Sequence, residues 1–192
     1  TARGLYWDRA WRLVSGCTPV SPACARCWAA REAAMRRHHP NPQVAARYAG
    51  LTDAAGQWTG TVRWNADRLD APLRARQPWV WAVWNDLCHA QIPLDLAVQA
   101  FEVMRRAPAQ TFLVLTKRPH RLAVTGTSLA LPNVILGTTA EDQPRAAARV
   151  PALLAVPVFV KQLEIAGTVT RELAAWPADL RLRQYPQWFS GV

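Results

Sequence analysis

Three of the four cysteines lie close together in the first part of the sequence. Cys17, Cys24 and Cys27 have the spacing Cys-x6-Cys-x2-Cys within the stretch SGCTPVSPACARCWA. Two thiolates separated by two residues on a loop can bind one metal centre. The segment that follows Cys27, WAAREAAMRR, has the composition of a helix. Because the amino end of a helix stabilises negatively charged sulfur, this spacing predicts a thiolate metal site.

Three interpretations of the cysteines remain open at this point. A structural zinc site needs four ligands, and a fourth would have to come from Cys88, His38, His39 or His89, none of which has the usual paired spacing. A 4Fe–4S cluster held by three cysteines leaves one iron open to a substrate or cofactor. The cysteines could also be unliganded or redox-active thiols. A reduced, cytosolic setting and an unmatched third thiolate favour the cluster.

Short apolar runs recur along the rest of the chain, and most of them precede a helical pattern. The predicted strands are Pro78–Trp84, Thr111–Thr116, Asn133–Thr139, Val156–Gln162 and a last one at Asp179–Pro186. Apolar runs of this length followed by amphipathic helices such as Pro93–Ala107 are typical of βα units with a buried parallel sheet. The sequence therefore predicts an α/β fold whose sheet either is doubly wound or curls toward a barrel.

Polar and ionisable residues follow each of four apolar runs. Because the carboxyl ends of parallel strands meet at one edge, we expect these side chains to share a site. They are Asn85, Asp86, Cys88 and His89, then Lys117 and Arg118, then Thr138, Thr139 and Glu141, and finally Lys161 and Gln162. Each also has a structural alternative: Asp142 or Thr139 as a helix cap, the cations as rim salt bridges, and Cys88 as core packing.

Length and charge indicate the number of domains and the type of binding partner. A chain of 192 residues can bury a core and is expected to form a single domain, with residues 38–60 as an irregular excursion. The net charge is +10 and there are ten tryptophans, which favours nucleic acid as a partner. An arginine-rich coding bias would produce the same charge, and most tryptophans in such a domain belong to the core.

The sequence shows no sign of a membrane segment. No apolar run approaches the ~20 residues that cross a bilayer. The first residues, TARGLYWDRAW, lack the apolar core of a signal peptide. These observations predict a cytoplasmic protein with no membrane partner.

Several stretches in order along the chain resemble one known family. They are SGCTPVSPACARCWA, NDLCHAQIP, FEVMRRAPAQTFLVLTKRP, LPNVILGTTAEDQ, VPVFVKQL and WPADLRLRQYP. Together they resemble a phage-associated family of uncharacterised radical S-adenosylmethionine-like proteins. The present chain looks like a shortened member, since RVPALLAVP leads almost directly into VFVKQ.

The resemblance implies a partial (βα) barrel of about five to six parallel strands, with the cysteine loop near its start. Cys17, Cys24 and Cys27 would ligate three irons of a 4Fe–4S cluster. S-Adenosyl-L-methionine would chelate the fourth iron and yield a 5′-deoxyadenosyl radical after one-electron reduction by an external donor. The cofactor would carry the difficult chemistry, and the protein would position it.

Within this scheme each polar edge residue receives a role. Asn85, Asp86, Thr138, Thr139 and Glu141 are predicted to bind the cofactor, and Arg118, Lys161 and Gln162 the substrate. The predicted catalytic residues are Lys117, His89 and Cys88. We expect a nucleic acid base or a nucleotide to be modified or repaired. The alternatives are a non-enzymatic nucleic-acid-binding protein stabilised by zinc or a structural cluster, and a degenerate relative that binds a partner protein.

Overall fold

The structure is a computed structural model that describes residues 6–123 and 131–153, together with three short strands beyond them. The helices and strands in chain order are β1 (Arg9–Trp11), β2 (Val14–Ser15), α1 (Trp28–Arg36), α2 (Pro42–Tyr48), β3 (Arg63–Trp64), β4 (Val80–Val83), α3 (Leu94–Arg106), β5 (Thr111–Thr116), α4 (His120–Ala123), β6 (Val134–Thr138), α5 (Gln143–Arg149), β7 (Val158–Val160), β8 (Leu163–Ile165) and β9 (Thr168–Thr170).

A five-stranded parallel sheet forms the centre of the fold. Its order is β1-β4-β5-β6-β7, and every neighbouring pair is parallel. The predicted α/β class is confirmed. Strands β4 to β7 lie within the four predicted apolar runs. The edge strand β1 was not predicted, and the predicted strand at Asp179–Pro186 lies outside the described residues.

The sheet is covered by apolar side chains that the sequence supplies at helical and strand spacing. All five residues of β6 are buried, as expected for a parallel strand packed on both faces. Helix α3 buries Ala97, Ala100, Phe101, Val103 and Met104, which recur along one of its faces. These side chains join Trp11, Phe112 and Leu136 in one core cluster. The positions at which the strands end are therefore held by a continuous apolar interior.

Residues 38–60 were predicted to be irregular, and this prediction is wrong for part of the range. The segment contains α2, which begins at Pro42 after Asn41. The Asn41 side chain accepts a hydrogen bond of 2.9 Å from the backbone N–H of Gln43, and proline is well tolerated in a first helical turn. Tyr48 and Leu51 pack on Ala33 of α1 in a small second core. Local capping and a few apolar contacts thus order the segment.

The cysteines occupy the connection between β2 and α1. Strand β2 pairs antiparallel with β3, and a short 3₁₀ helix at Pro22–Arg26 carries the middle of the connection. Helix α1 begins at Trp28, directly after Cys27, as the sequence predicts. We call residues 16–27 the cysteine loop. Among the described residues, no helix has both the length and the apolar character needed to cross a membrane.

Gly16 sets the course of the cysteine loop and gives a test of the fold. Its φ is +89°, and a Cβ there would lie 2.0 Å from the carbonyl oxygen of Thr61. We expect Gly16→Ala to lower the free energy of unfolding by more than about 3 kcal/mol, because backbone strain and a backbone clash add together. Urea denaturation followed by circular dichroism measures the change.

Gly60 provides the matched control for that substitution. Its φ is +92°, but the nearest atom to a Cβ there is the Thr18 methyl at 3.9 Å. Gly60→Ala should therefore lower the free energy of unfolding by only about 1–2 kcal/mol, the cost of the backbone conformation alone. Equal losses in the two variants would contradict the clash at Gly16.

Candidate functional site

The cysteine loop lies against the carboxyl end of β5. The guanidinium of Arg118 donates hydrogen bonds to the carbonyl oxygen of Thr18 at 2.9 Å and to its hydroxyl at 2.8 Å. The same guanidinium lies 3.8 Å from the sulfur of Cys17, and the Lys117 ammonium lies 3.5 Å from that of Cys24. The two cations that directly follow β5 therefore hold the loop at the sheet edge.

A buried carboxylate anchors Arg118 from the other side. Asp86, which follows β4, accepts from Arg118 at 2.6 Å, from the Thr116 hydroxyl at 2.7 Å and from the backbone N–H of Cys88 at 3.0 Å. All four residues are buried. A buried carboxylate with charged and neutral donors is satisfied within the protein. The structure thus uses Asp86, predicted as a cofactor ligand, to fix Arg118.

His89 extends this network to the cysteine loop. Its Nε2 lies 2.8 Å from the Thr18 hydroxyl, and its Nδ1 accepts from the backbone N–H of Gln91 at 3.1 Å. The hydrogen-bond pattern assigns the ring proton to Nε2. Burial, followed by the charge of Arg118, lowers the pKa of His89, which favours the neutral ring. Both ring nitrogens are engaged within the protein, and the catalytic role of His89 stays a prediction.

Lys117 and Glu141 connect the cysteine loop to the end of β6. The Lys117 ammonium lies 3.2 Å from the Ser21 hydroxyl and 3.6 Å from Oε1 of Glu141. The other oxygen of Glu141 accepts from Arg149 at 2.7 Å. Burial would raise the pKa of Glu141, but the Ser21 hydroxyl, Lys117 and Arg149 outweigh it and lower the pKa. The carboxylate is therefore ionised beside the loop.

Two further predicted cofactor residues are engaged in backbone contacts. The Thr138 hydroxyl is fully buried and donates to the carbonyl oxygen of Thr116 at 2.7 Å. The Asn85 side-chain amide donates to the carbonyl oxygen of Val14 at 2.8 Å. Asn85 has a φ of +62°, a left-handed conformation that asparagine tolerates better than most residues. These contacts tie β6 to β5 and the end of β4 to β2.

The remaining predicted residues fall into two groups. The carbonyl oxygen of Thr139 accepts from Arg149 at 2.6 Å, and Asp142 caps α5 by accepting from the backbone N–H of Arg145 at 2.9 Å. The helix-cap alternative for Asp142 is therefore confirmed. Lys161 and Gln162, predicted to bind substrate, lie outside the described residues.

The four thiols have different electrostatic surroundings. All four cysteines are free of disulfide bonds. Burial, followed by the charge of Asp86, raises the pKa of Cys17 to about 11 and that of Cys88 to about 12. Burial would also raise the pKa of Cys24, but the Val20 N–H, the Ser21 hydroxyl and Lys117 lower it below its ordinary value. Of these three thiols, Cys24 is therefore the one best suited to ionise.

The cysteine loop fits a thiophilic metal group in the chemistry of its donors. It offers three reduced sulfurs on one loop, with Cys17 near enough to Cys27 for their charges to interact. In the described part of the chain, however, no three His, Cys, Asp or Glu side chains are gathered so that they could hold a metal ion. Binding of one metal group by the three cysteines therefore requires their sulfurs to come closer together than they lie here.

Three residues of this site were missed by the sequence prediction. Thr18 and Ser21 accept hydrogen bonds from the two cations that follow β5, and Arg149 forms an ion pair with Glu141. Thr18 and Ser21 lie inside the cysteine motif itself, so hydroxyls between the cysteines were an available signal. Arg149 lies on α5 and comes close only through the fold, and no local pattern indicates it.

Comparison with known protein families shows which family the chain belongs to. A family model described as "Protein of unknown function (DUF5131)" matches residues 3–170. The chain belongs to this family. No curated protein matches the chain, and no solved structure matches it. The matched residues include the parallel sheet and the cysteine loop.

The ion pair between Asp86 and Arg118 gives a prediction for stability. Arg118→Met leaves a buried carboxylate without its charged partner, which typically costs about 3–5 kcal/mol in the free energy of unfolding. The exposed pair of Arg105 with Glu102 is the control, and Arg105→Met should change stability by less than about 1 kcal/mol. Urea denaturation compares the variants, and a loss in Arg118→Met as small as the control would contradict the assigned network.

Thiol reactivity tests the electrostatics of the loop. In metal-free, reduced protein we expect iodoacetamide to label Cys24 before Cys17 and Cys88 near neutral pH, because a lowered pKa means more thiolate. Cys17 and Cys88, whose pKa values are raised to about 11 and about 12, should need more alkaline solution. Peptide mapping by mass spectrometry follows each site.

The variant Lys117→Met removes the cation beside Cys24 and should slow its labelling at a fixed pH, while Lys117→Arg should largely preserve it. An unchanged rate in Lys117→Met would show that Lys117 does not stabilise the thiolate.

Proposed function

We propose that Cys17, Cys24 and Cys27 bind a 4Fe–4S cluster and that the protein is a radical S-adenosylmethionine enzyme. The observation that carries the proposal is the contact of the cysteine loop with the ends of β4 and β5, through Thr18, Arg118 and Lys117. Cofactors of parallel α/β proteins bind at this carboxyl edge. The chemistry of three free thiols on one loop supports the same assignment.

The order of strands supports a partial (βα) barrel as the frame. Strands β4 to β7 are added side by side in chain order, without the reversal that marks a doubly wound sheet. A sheet built in this way curls in one direction. The sequential order therefore favours the barrel-like alternative.

The residues around the cysteines would hold the thiolates and position the loop. Lys117 and Arg118 place positive charge beside Cys24 and Cys17, which favours the anionic sulfur that a metal requires. Arg118 and His89 together fix Thr18, and so the backbone next to Cys17. When bound, the cluster and S-adenosylmethionine would supply a 5′-deoxyadenosyl radical after reduction by an external donor.

The proposed substrate is a nucleic acid base or a nucleotide, in the cytoplasm. The net charge of +10 favours a polyanionic partner. The side chain of Lys117 is 21% exposed, whereas that of Glu141, 3.6 Å away, is only 5% exposed. Of these two residues, Lys117 is the better placed to contact a bound molecule beside the cysteine loop.

A specific observation favours a second candidate, the non-enzymatic metal-stabilised nucleic-acid-binding protein. Asp86 and Thr138, predicted to bind the cofactor, are both buried. Their side chains form hydrogen bonds with other residues of the protein. A protein that needed only a stable loop would have the same arrangement.

Metal content tests the proposed cluster. Anaerobic reconstitution with iron and sulfide should give about 4 Fe and about 4 sulfides per chain, with the broad visible absorption of such a cluster. Cys17→Ser, Cys24→Ser and Cys27→Ser should each lose most of the iron. Cys88→Ser is the control and should keep it, because Cys88 is buried beside Asp86 and Leu87 rather than on the loop.

Cofactor cleavage separates the two candidate functions. Reconstituted protein with dithionite and S-adenosylmethionine should release 5′-deoxyadenosine, measured by liquid chromatography. Release by the wild type, but not by the three loop variants, would support the enzyme. Iron binding without cleavage of S-adenosylmethionine would favour the non-enzymatic protein with a structural cluster. Bound zinc in place of iron would contradict an iron–sulfur cluster of either kind.

A further inference from the structure

An open groove lies next to the cysteine loop and is not used by the network described above. It has a volume of about 480 Å³ and is lined by Trp28, Arg31, Glu32, Met35 and Trp84. Trp28 is the first residue of α1, directly after Cys27, and Trp84 directly follows β4. The groove therefore adjoins the proposed metal site through the first residue of α1.

The groove presents a rigid aromatic surface. Trp28 and Trp84 pack edge to face, with ring centroids 4.7 Å apart, and Trp7 packs on Trp84 in the same way at 5.4 Å. Trp84 is almost buried, but Trp28 is 48% exposed and Met35 is 70% exposed. Large apolar side chains exposed together are uncommon on a protein surface unless they bind something. An indole fixed on a second indole is a suitable platform for a flat ring.

Positive charge surrounds this aromatic surface. The guanidinium of Arg12 lies over the Trp84 ring, 5.0 Å from its centroid, and Arg31 is exposed at the groove. The acidic member of the lining, Glu32, is paired with Arg12 at 3.3 Å and with Arg36 at 2.5 Å. The net charge next to the indoles is therefore positive, which suits an anionic ligand with a flat apolar part.

We propose that this groove binds an unpaired base of a single-stranded nucleic acid, with the base on Trp28 and a neighbouring phosphate at Arg31. Stacking on an aromatic ring together with a cation for the backbone is how proteins hold single strands. In a duplex both faces of each base are covered by neighbours, so the geometry selects an unpaired base.

The claim that the bound strand is a substrate rests on the proposed function. Binding itself does not depend on the cluster. The strand would pass from the groove toward the cysteine loop, since Trp28 and Cys27 are adjacent in the chain. The two claims can therefore be tested separately on the same protein.

Fluorescence anisotropy with a labelled single strand of about 12 nucleotides, a length within the usual range of binding-site sizes, tests the groove in metal-free, reduced protein. Trp28→Ala should weaken binding about 5-fold to 100-fold, the usual effect of losing one stacked base. Trp28→Phe should retain most of the affinity. The same sequence in duplex form should bind more weakly than the single strand.

Arg31→Glu tests the phosphate contact, and Arg74→Glu is its matched control. Arg74 is also an exposed arginine but does not line the groove. Arg31→Glu should weaken binding and reduce the slope of log affinity against log salt concentration by at least about 0.7, the contribution of one phosphate contact on a single strand. Arg74→Glu should change the affinity much less.

Several outcomes would overturn the proposal. They are binding by Trp28→Ala within a factor of about two of the wild type, equal effects of Arg31→Glu and Arg74→Glu, and a duplex that binds as tightly as the single strand. Iron content after reconstitution, measured on Trp28→Ala, distinguishes the two claims. Weak binding with full iron supports the groove, whereas normal strand binding by wild-type protein that takes up no iron overturns the cluster alone.

Discussion

The ion pair between Asp86 and Arg118 is the interaction on which the arrangement of the site depends. It joins the end of β4 to the end of β5 and leaves the guanidinium free to hold Thr18 of the cysteine loop. Removing either member of a buried ion pair leaves the other charge buried without a partner, which strongly destabilises the protein. This contact between two strand ends therefore fixes the guanidinium that holds the backbone next to Cys17.

This contact divides the polar residues of the sheet edge into two kinds. Asp86, Thr138 and His89 are satisfied by other parts of the protein and build the frame. Lys117 and Cys24 form the second kind, because the ammonium lies 3.5 Å from the sulfur at the half-buried loop. Any bound group would interact with the second kind, because displacing the first kind would expose buried polar groups without partners.

The sequence predicted four of the five strands of the parallel sheet, β4 to β7, because their signal is local. β5 has the predicted bounds, and β4, β6 and β7 lie inside the predicted runs, since a buried parallel strand must be continuously apolar. β1 was missed because Arg9–Trp11 is short and carries one charged residue. The strand ends were correctly expected to meet. Which of their side chains would pair was not predictable, because that depends on long-range geometry: Arg118 and Asp86 are 32 residues apart, and Arg118 and Thr18 are 100 apart.

That last separation has a consequence during synthesis. The cysteine loop leaves the ribosome long before its partner, because Arg118 is made 100 residues after Thr18. At ordinary elongation rates of about 5–20 residues per second, the nascent thiols wait roughly 5–20 s before the strand end that covers them emerges. During that interval Cys17 lacks its arginine neighbour and Cys24 its lysine. The loop is then open to oxidants, chaperones and metal donors on the translating chain.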